Sequence, residues 1–195
     1  MKKLTIAVFL SLLLCGVMVV AQNAAEVDEM TDKFIRIHII ANSDSDADQA
    51  LKLDVRDAVL KASEDFLTDC KSKGEAMTAI RENLQTIQSA AEEEMRRQGS
   101  DYPLVCTLAR EMFDTRVYDD FTLPAGSYDS LTVRIGNSEG KNWWCVCYPQ
   151  LCIGTAIKLD DASVLTEGEI KIVKEPEKVR FKLWCFEIVR KILNH

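Results

Sequence analysis

The sequence predicts an α+β domain in which a helical hairpin packs on a mainly antiparallel β-sheet, with a further helix at the C-terminus. Residues 34–40 alternate between apolar and polar side chains, which is typical of a strand with one buried face. Two apolar stripes at helical spacing follow between residues 46 and 99, and strand-like alternation returns from Tyr102. A strand, two helices and then several strands favour one layer of helices on one sheet.

The first predicted helix begins after a polar loop at residues 41–48. Ser45 is placed to cap the helix, and Asp48 three residues later completes a capping-box pattern. The apolar stripe then runs to about Cys70 through Leu51, Val55, Ala58, Ala62 and Phe66.

A second helix follows a break at Gly74 and ends at Gly99. Its apolar positions recur at helical spacing and are Ala76, Ile80, Leu84, Ile87, Ala91 and Met95. Two stripes of similar length joined by a short connection predict a helical hairpin.

Strand patterns follow at residues 104–111, 115–123 and 127–135. A turn at 124–126 precedes the third of these strands, and a turn at 136–140 follows it. The segment after the last turn is a further strand, and it contains Trp143, Trp144 and three cysteines. Adjacent residues on a strand point to opposite faces, so the two indole rings cannot serve the same side of the sheet. We expect one ring in the core and the other against a second layer or at a surface.

The end of the chain divides into an acidic linker at residues 159–178 and an amphipathic element at 179–195. This last element alternates like a strand near residue 180, but Phe181, Trp184, Ile188 and Ile192 also form a helical stripe, which favours a terminal helix. Its basic residues suit contact with an anionic membrane surface, although a solvated polar face is the commoner explanation for such residues.

The first 21 residues have the pattern of a signal peptide, followed by a polar tether at 22–32 and the domain at 33–158. Lys2 and Lys3 precede an apolar run, and small residues stand at the positions required for cleavage after Ala21. A lipoprotein signal is disfavoured because Leu14 stands where a small residue is expected before Cys15. The run is long enough to span a bilayer if it is not cleaved, so we expect an exported chain that is either released or tethered.

The charge of the chain argues against nucleic-acid binding. The formal net charge is −7, and the residues after position 21 contain 22 basic and 31 acidic side chains. A polyphosphate partner would therefore meet an unfavourable overall field.

Export makes oxidation of the cysteines feasible. Six cysteines remain after residue 21, and the pairing that we predict is Cys145 with Cys152, across the turn at Tyr148 and Pro149. The other cysteines are interpreted as buried free thiols that pack as small apolar side chains.

Metal binding and catalysis find weak support in the sequence. Asp44, Asp46 and Asp48 alternate as in a calcium loop, but Gln49 and Val55 stand where that motif needs a glycine and a carboxylate, so we predict no metal or other cofactor.

A secreted Cys-His hydrolase of peptides or cell wall is the enzyme alternative, with His38 as base and Cys145 or Cys106 as nucleophile. We place His38 at the surface or rim, since its strand position is on the polar face, and we predict no catalytic residue.

Protein binding is the remaining interpretation. The loop at 42–48 and the turn at 136–142 offer exposed polar groups, and the tryptophans adjoin the turn. The alternative from these patterns alone is a packed tryptophan core with two ordinary turns. The candidate partner-binding residues are Asn42, Ser43, Asp44, Asn142, Trp143 and Trp144.

Two blocks of sequence resemble the stage II sporulation protein R family. The first comprises residues 36–49, 51–52 and 55–59, and the second comprises residues 124–128, 135–137, 140–146 and 149–152. With the signal peptide and the helices between, the resemblance covers about residues 1–155. Two positions depart from the family pattern: Cys147 replaces an apolar residue, which implies a free thiol outside any family disulfide, and Gln150 replaces the second of two prolines.

The resemblance implies a signalling role in endospore-forming bacteria. Such proteins are made in the forespore and exported across its membrane into the intermembrane space. There they activate a membrane-embedded aspartic protease, which removes the pro-sequence of the mother-cell sigma-E factor. The activators of this family are not known as enzymes, so the resemblance implies a chain that is not an enzyme and acts by binding that protease.

Overall fold

A computed structural model describes residues 27–118 and 121–149, together with Met18, Ala25, Thr166, Ile170 and Val173. The predicted linker and C-terminal helix therefore lie almost wholly outside the described residues, as do the signal peptide and Cys152. The described residues form two units: residues 32–112 and 127–149 belong to the larger one, and residues 27–31, 113–118 and 121–126 to the smaller. Within the described residues, no helix is both long and apolar enough to cross a bilayer.

The described elements confirm an α+β fold. The helices are α1 (Asp46–Leu67), α2 (Lys73–Glu82) and α3 (Leu84–Arg97). The strands are β1 (Ile35–Ile40), β2 (Leu104–Phe113), β3 (Arg116–Val117), β4 (Thr122–Leu123), β5 (Gly126–Ile135) and β6 (Asn142–Tyr148).

The main sheet has four strands in the order β2-β5-β1-β6. β1 runs parallel to β5 and antiparallel to β6. Gly136 N–H donates to the Pro103 carbonyl at 2.8 Å, while Arg110 contacts Ser127 at the far end of the pair, so β2 and β5 run in opposite directions. The sheet is therefore mixed and mainly antiparallel.

All six residues of β1 are buried, which corrects the prediction of a half-buried strand. Ile35, Ile37 and Ile39 belong to the core beneath the helices. Arg36 is 0% exposed and His38 is 8% exposed, so His38 is not a surface or rim residue. Their alternation with the isoleucines puts both on the face opposite the helices. There Arg36 lies 5.0 Å from the centroid of the Tyr128 ring.

Helix α1 begins where the sequence predicts. The Ser45 hydroxyl accepts the Asp48 N–H at 3.2 Å, and this bond caps the first turn. The buried stripe proceeds in steps of four from Leu51 and Val55 to Val59 and Leu67. The predicted positions Ala58, Ala62 and Phe66 are instead half-buried. In this part of the helix the buried positions lie one residue further along, at Val59, Ser63 and Leu67.

The second predicted helix is two helices, since α2 ends and α3 begins at Asn83. Asn83 has φ −102° and ψ 10°, and its side-chain amide and backbone N–H both donate to the Ala79 carbonyl, at 2.9 and 3.0 Å. An asparagine side chain that competes for backbone carbonyls favours such a break. The predicted stripe still faces the core, with Ala76, Ile80, Ile87, Ala91 and Met95 buried.

The smaller unit contains the β3–β4 hairpin, so the single strand predicted at 115–123 is wrong. Arg116 pairs with Leu123 in antiparallel register. Tyr118 N–H donates to the Phe121 carbonyl at 2.8 Å, and the two rings stack with centroids 4.5 Å apart, which reverses the chain. In the same unit, residues 27–31 are helical and Met30 is 0% exposed.

Candidate functional site

The sheet order forces two loops to meet. β1 lies between β5 and β6, so the turn that connects β5 to β6 must cross the end of β1. Ile40, the last residue of β1, pairs with Arg134 on one side and Asn142 on the other. The turn at 136–141 therefore lies over the loop at 41–45. We refer to these two segments together as the loop junction.

Backbone hydrogen bonds and two glycines hold the loop junction together. Glu139 N–H donates to the Asn42 carbonyl at 3.2 Å, and Gly140 N–H donates to the Ala41 carbonyl at 3.0 Å. A Cβ on Gly140 would lie 2.2 Å from the Ser43 carbonyl oxygen. Gly136 has φ +57°, and a Cβ there would lie 2.2 Å from Asn42 Oδ1. The Ser43 backbone lies so close to Gly140, and the Asn42 side chain so close to Gly136, that a side chain is excluded at both positions.

Asn42 and Ser43 direct their side chains into the protein. Asn42 Oδ1 accepts the Asn137 N–H at 2.9 Å, and Asn42 Nδ2 donates to Asp48 Oδ2 at 2.8 Å. Ser43 Oγ donates to the same carboxylate oxygen at 2.6 Å. Asp48 is 7% exposed, and the hydrogen bonds from Ser43 and Asn42 hold the pKa of its carboxyl below the ordinary value. In the predicted capping box the Asp48 carboxylate would also accept the Ser45 N–H. That bond is absent, because Ser45 N–H donates to Ser43 Oγ instead.

Asp44 and Lys52 hold the turn by hydrogen bonds to the backbone of Lys141. Asp44 Oδ1 accepts the Lys141 N–H at 2.6 Å. Lys52 is 5% exposed and donates to the Lys141 carbonyl at 3.1 Å and to Gln49 Oε1 at 2.7 Å. Burial lowers the pKa of the Lys52 ammonium, and the Asp44 charge acts against that shift. Asp44 and Asp48, two of the three side chains that suggested a calcium loop, thus hydrogen-bond within the protein, and no metal-binding group of side chains occurs among the described residues.

Trp143 and Trp144 lie on opposite faces of the sheet, as the strand geometry predicts. Trp143 is half-buried against the core beneath the helices, with the Arg56 guanidinium 5.4 Å from its ring centroid. Trp144 is half-buried and stacks on His38, with centroids 3.7 Å apart and planes 18° from parallel. The six candidate residues therefore do not form one flat patch. Asp44 and Asn142 are exposed, and the other four are half-buried.

His38 belongs to a polar row that crosses the sheet. Its Nδ1 lies 3.3 Å from Glu111 Oε2, and Glu111 Oε1 accepts from Arg134 at 2.9 Å. Arg134 also donates to Thr107 at 3.1 Å. Burial lowers the pKa of His38, while hydrogen bonds to Glu111 and Asn142 raise it. Sequence reasoning missed Glu111 and Arg134, although Thr107 and Glu111 share one face at even spacing.

The cysteines do not supply an activated nucleophile in the described part of the chain. Cys106 and Cys147 are buried free thiols, and burial raises the pKa of each to about 12. Cys106 belongs to the core beneath the helices, whereas His38 lies on the opposite face of the sheet. Cys145 is disulfide-bonded. The free thiol predicted at Cys147 is confirmed, and the pairing of Cys145 with Cys152 stays a prediction.

The fold and the loop junction define an α+β domain with a preformed surface and without a thiol–imidazole pair among its described residues. The model of the stage II sporulation protein R family (spore_II_R) matches residues 31–158. The chain is also similar to Stage II sporulation protein R of Bacillus subtilis (strain 168), at 35% identity over 187 residues, which is 91% of this chain and 82% of that protein. The chain therefore belongs to the stage II sporulation protein R family. No solved structure matches it.

Proposed function

We propose that this chain is an exported sporulation signal that activates a membrane-embedded aspartic protease, which then processes pro-sigma-E in the mother cell. Membership of the family supports the role in sporulation. The signal-peptide pattern in residues 1–21 supports export across the forespore membrane into the intermembrane space. Activation is then a shift of population, because the bound chain stabilises the active state of the protease.

The loop junction is the observation that supports docking rather than chemistry. Its polar side chains bond to one another and to backbone groups, so that two loops present a fixed surface. A preorganised surface reduces the entropy lost on binding. We assign partner contact to the exposed Asp44 and Asn142 and to the outer part of Trp144, with Asn42 and Ser43 as positioning residues. Trp143 supports this surface from the core side.

The proposal is tested by co-expression in a bacterium that does not sporulate. The host would carry this chain, the protease and its pro-sigma-E substrate, and cleavage would be followed by immunoblot. We expect cleavage with the full chain and less than about a tenth of that cleavage when residues 2–21 are deleted, because the export signal is lost. Fusing an unrelated cleavable signal peptide to residue 22 should restore cleavage. Equal cleavage with and without an export signal would contradict the proposal.

A further inference from the structure

The imidazole ring of His38 packs flat against the Trp144 ring on the sheet face opposite the helices. The two residues are directly paired on the antiparallel strands β1 and β6. Their ring centroids are 3.7 Å apart and their planes are 18° from parallel, which is a stacked arrangement. Side chains that lie directly opposite each other on antiparallel strands are the ones that interact. The register of the two strands therefore fixes this contact.

His38 is itself held from β2, two strands away in the sheet order. Its Nδ1 lies 3.3 Å from Oε2 of Glu111. The other oxygen of that carboxylate accepts a hydrogen bond from Arg134 at 2.9 Å, and Arg134 also donates to Thr107 at 3.1 Å. The side chains of His38 and Glu111 are only 10% and 21% exposed. Rotation of the imidazole would break its contact with the carboxylate, so the plane of the ring is fixed.

The two side chains of β6 that interact with His38 are both assigned to partner contact. Trp144 stacks on the imidazole, and a hydrogen bond with Asn142 raises the pKa of His38 against the effect of burial. Trp144 is only half-buried, so its ring needs a neighbour to hold it in one orientation. A side chain that is already held in its bound orientation loses less entropy when a partner binds. His38 therefore connects the contact surface to the interior of the sheet.

We propose that His38, oriented by Glu111, is a positioning residue that fixes the Trp144 ring for contact with the protease. The imidazole is the flat surface on which the indole rests, and the carboxylate prevents the imidazole from turning. Neither side chain has to touch the partner. This inference rests on the proposed function and extends it to a row of residues that acts through Trp144.

Glu111→Ala tests this role in the full chain, with Asp129→Ala as a matched control. The Glu111 side chain is 21% exposed and pairs with Arg134 at 2.9 Å. The Asp129 side chain is 19% exposed and pairs with Lys73 at 2.6 Å, on the other face of the sheet. In the co-expression assay we expect pro-sigma-E cleavage to fall about fivefold for Glu111→Ala and to stay within about twofold for the control, because a loosened indole must be ordered on binding.

Fluorescence of a single tryptophan separates positioning from a loss of folded protein. In the purified exported chain with Trp143→Phe and Trp184→Phe, Trp144 is the only tryptophan. We expect Glu111→Ala and His38→Ala each to increase the quenching of Trp144 by acrylamide at least about twofold, because the stacked ring is released. His38→Phe keeps a flat ring and should restore both the parent quenching and most of the cleavage. If His38→Ala does not fold, Glu111→Ala and His38→Phe still decide the test.

Two results would overturn the inference. One is equal quenching and equal cleavage for Glu111→Ala and Asp129→Ala. The other is a loss of cleavage in Glu111→Ala with no change in the quenching of Trp144, which would mean a structural role alone. If the unsubstituted chain triggers no cleavage, the proposed function fails instead, and the quenching measurement still shows whether His38 and Glu111 hold the ring.

Discussion

Gly140→Ala is expected to disrupt the loop junction and to lower the free energy of unfolding by about 3 kcal/mol. The new Cβ would lie 2.2 Å from the Ser43 carbonyl oxygen and 2.6 Å from its carbonyl carbon. Both are backbone atoms, and the loop that carries them is held by the hydrogen bond from Gly140 N–H to Ala41. Neither segment can move without losing bonds that join the two loops. Pro-sigma-E cleavage should fall with stability.

Two other glycines provide matched controls for this substitution. A Cβ on Gly74 would meet only Ser72 Oγ at 3.9 Å, so Gly74→Ala should change stability by less than about 1 kcal/mol. Gly99→Ala meets nothing within 4 Å but has φ +74°, so it should cost about 1–2 kcal/mol through backbone strain alone. Urea unfolding of the exported chains measures all three. A Gly140→Ala protein as stable as Gly74→Ala would show that the loops do not pack as described.

Asp48→Ala is the second large effect that we expect, with a loss of about 2 kcal/mol. The substitution removes the acceptor of Asn42 Nδ2 and Ser43 Oγ, which bond at 2.8 and 2.6 Å. Those two donors are then left without their partner in a part-buried position, and the contact of Asn42 with the turn at 136–141 loosens. Asp46→Ala is the control, because Asp46 lies in the same first turn of α1 but is exposed.

The pH dependence of this effect has a definite sign. The hydrogen bonds from Ser43 and Asn42 hold the pKa of Asp48 below its ordinary value of 3.8, so the native state favours the ionised form. That contribution is fully present above the unfolded-state pKa and is lost as the pH falls through the folded-state pKa. The stability difference between the parent and Asp48→Ala should therefore be constant near neutral pH and shrink below about pH 4. A difference that grows on acidification would contradict the assigned hydrogen bonds.

Local signals in the sequence predict much of this fold because they depend on neighbouring residues. The start of α1 is predicted correctly because Ser45, a hydroxyl residue before an acidic first turn, is a capping signal. The opposite orientations of Trp143 and Trp144 follow from the pleat of one strand. The break at Asn83 was missed because the apolar stripe continues across it. The burial of Arg36 and His38 was missed because alternation reports polarity and does not show what packs on the polar face.

Local signals in the sequence also predict part of the candidate site. The sequence selects Asn42, Ser43 and Asp44 because polar loop residues are frequent in binding sites. It does not show that the turn at 136–141 crosses this loop, since that depends on β1 lying between β5 and β6. Asn42 and Ser43 therefore act inside the protein, where the sequence suggested exposed contacts. Glu111 and Arg134 lie on strands that are far from β1 along the chain, and the pairing of these strands in the sheet brings both side chains to the His38 side of the sheet.

The central claim, that the chain activates the protease by docking and without changing a covalent bond, is tested most directly by a titration outside the cell. Spheroplasts of a non-sporulating host that contain the protease and pro-sigma-E would receive increasing amounts of the purified exported chain. We predict that cleavage saturates when the chain is about equimolar with the protease and stops after the chain is washed away. Cleavage that continues after washing, or that is fully induced by a small fraction of that amount, would mean that the chain acts as a catalyst.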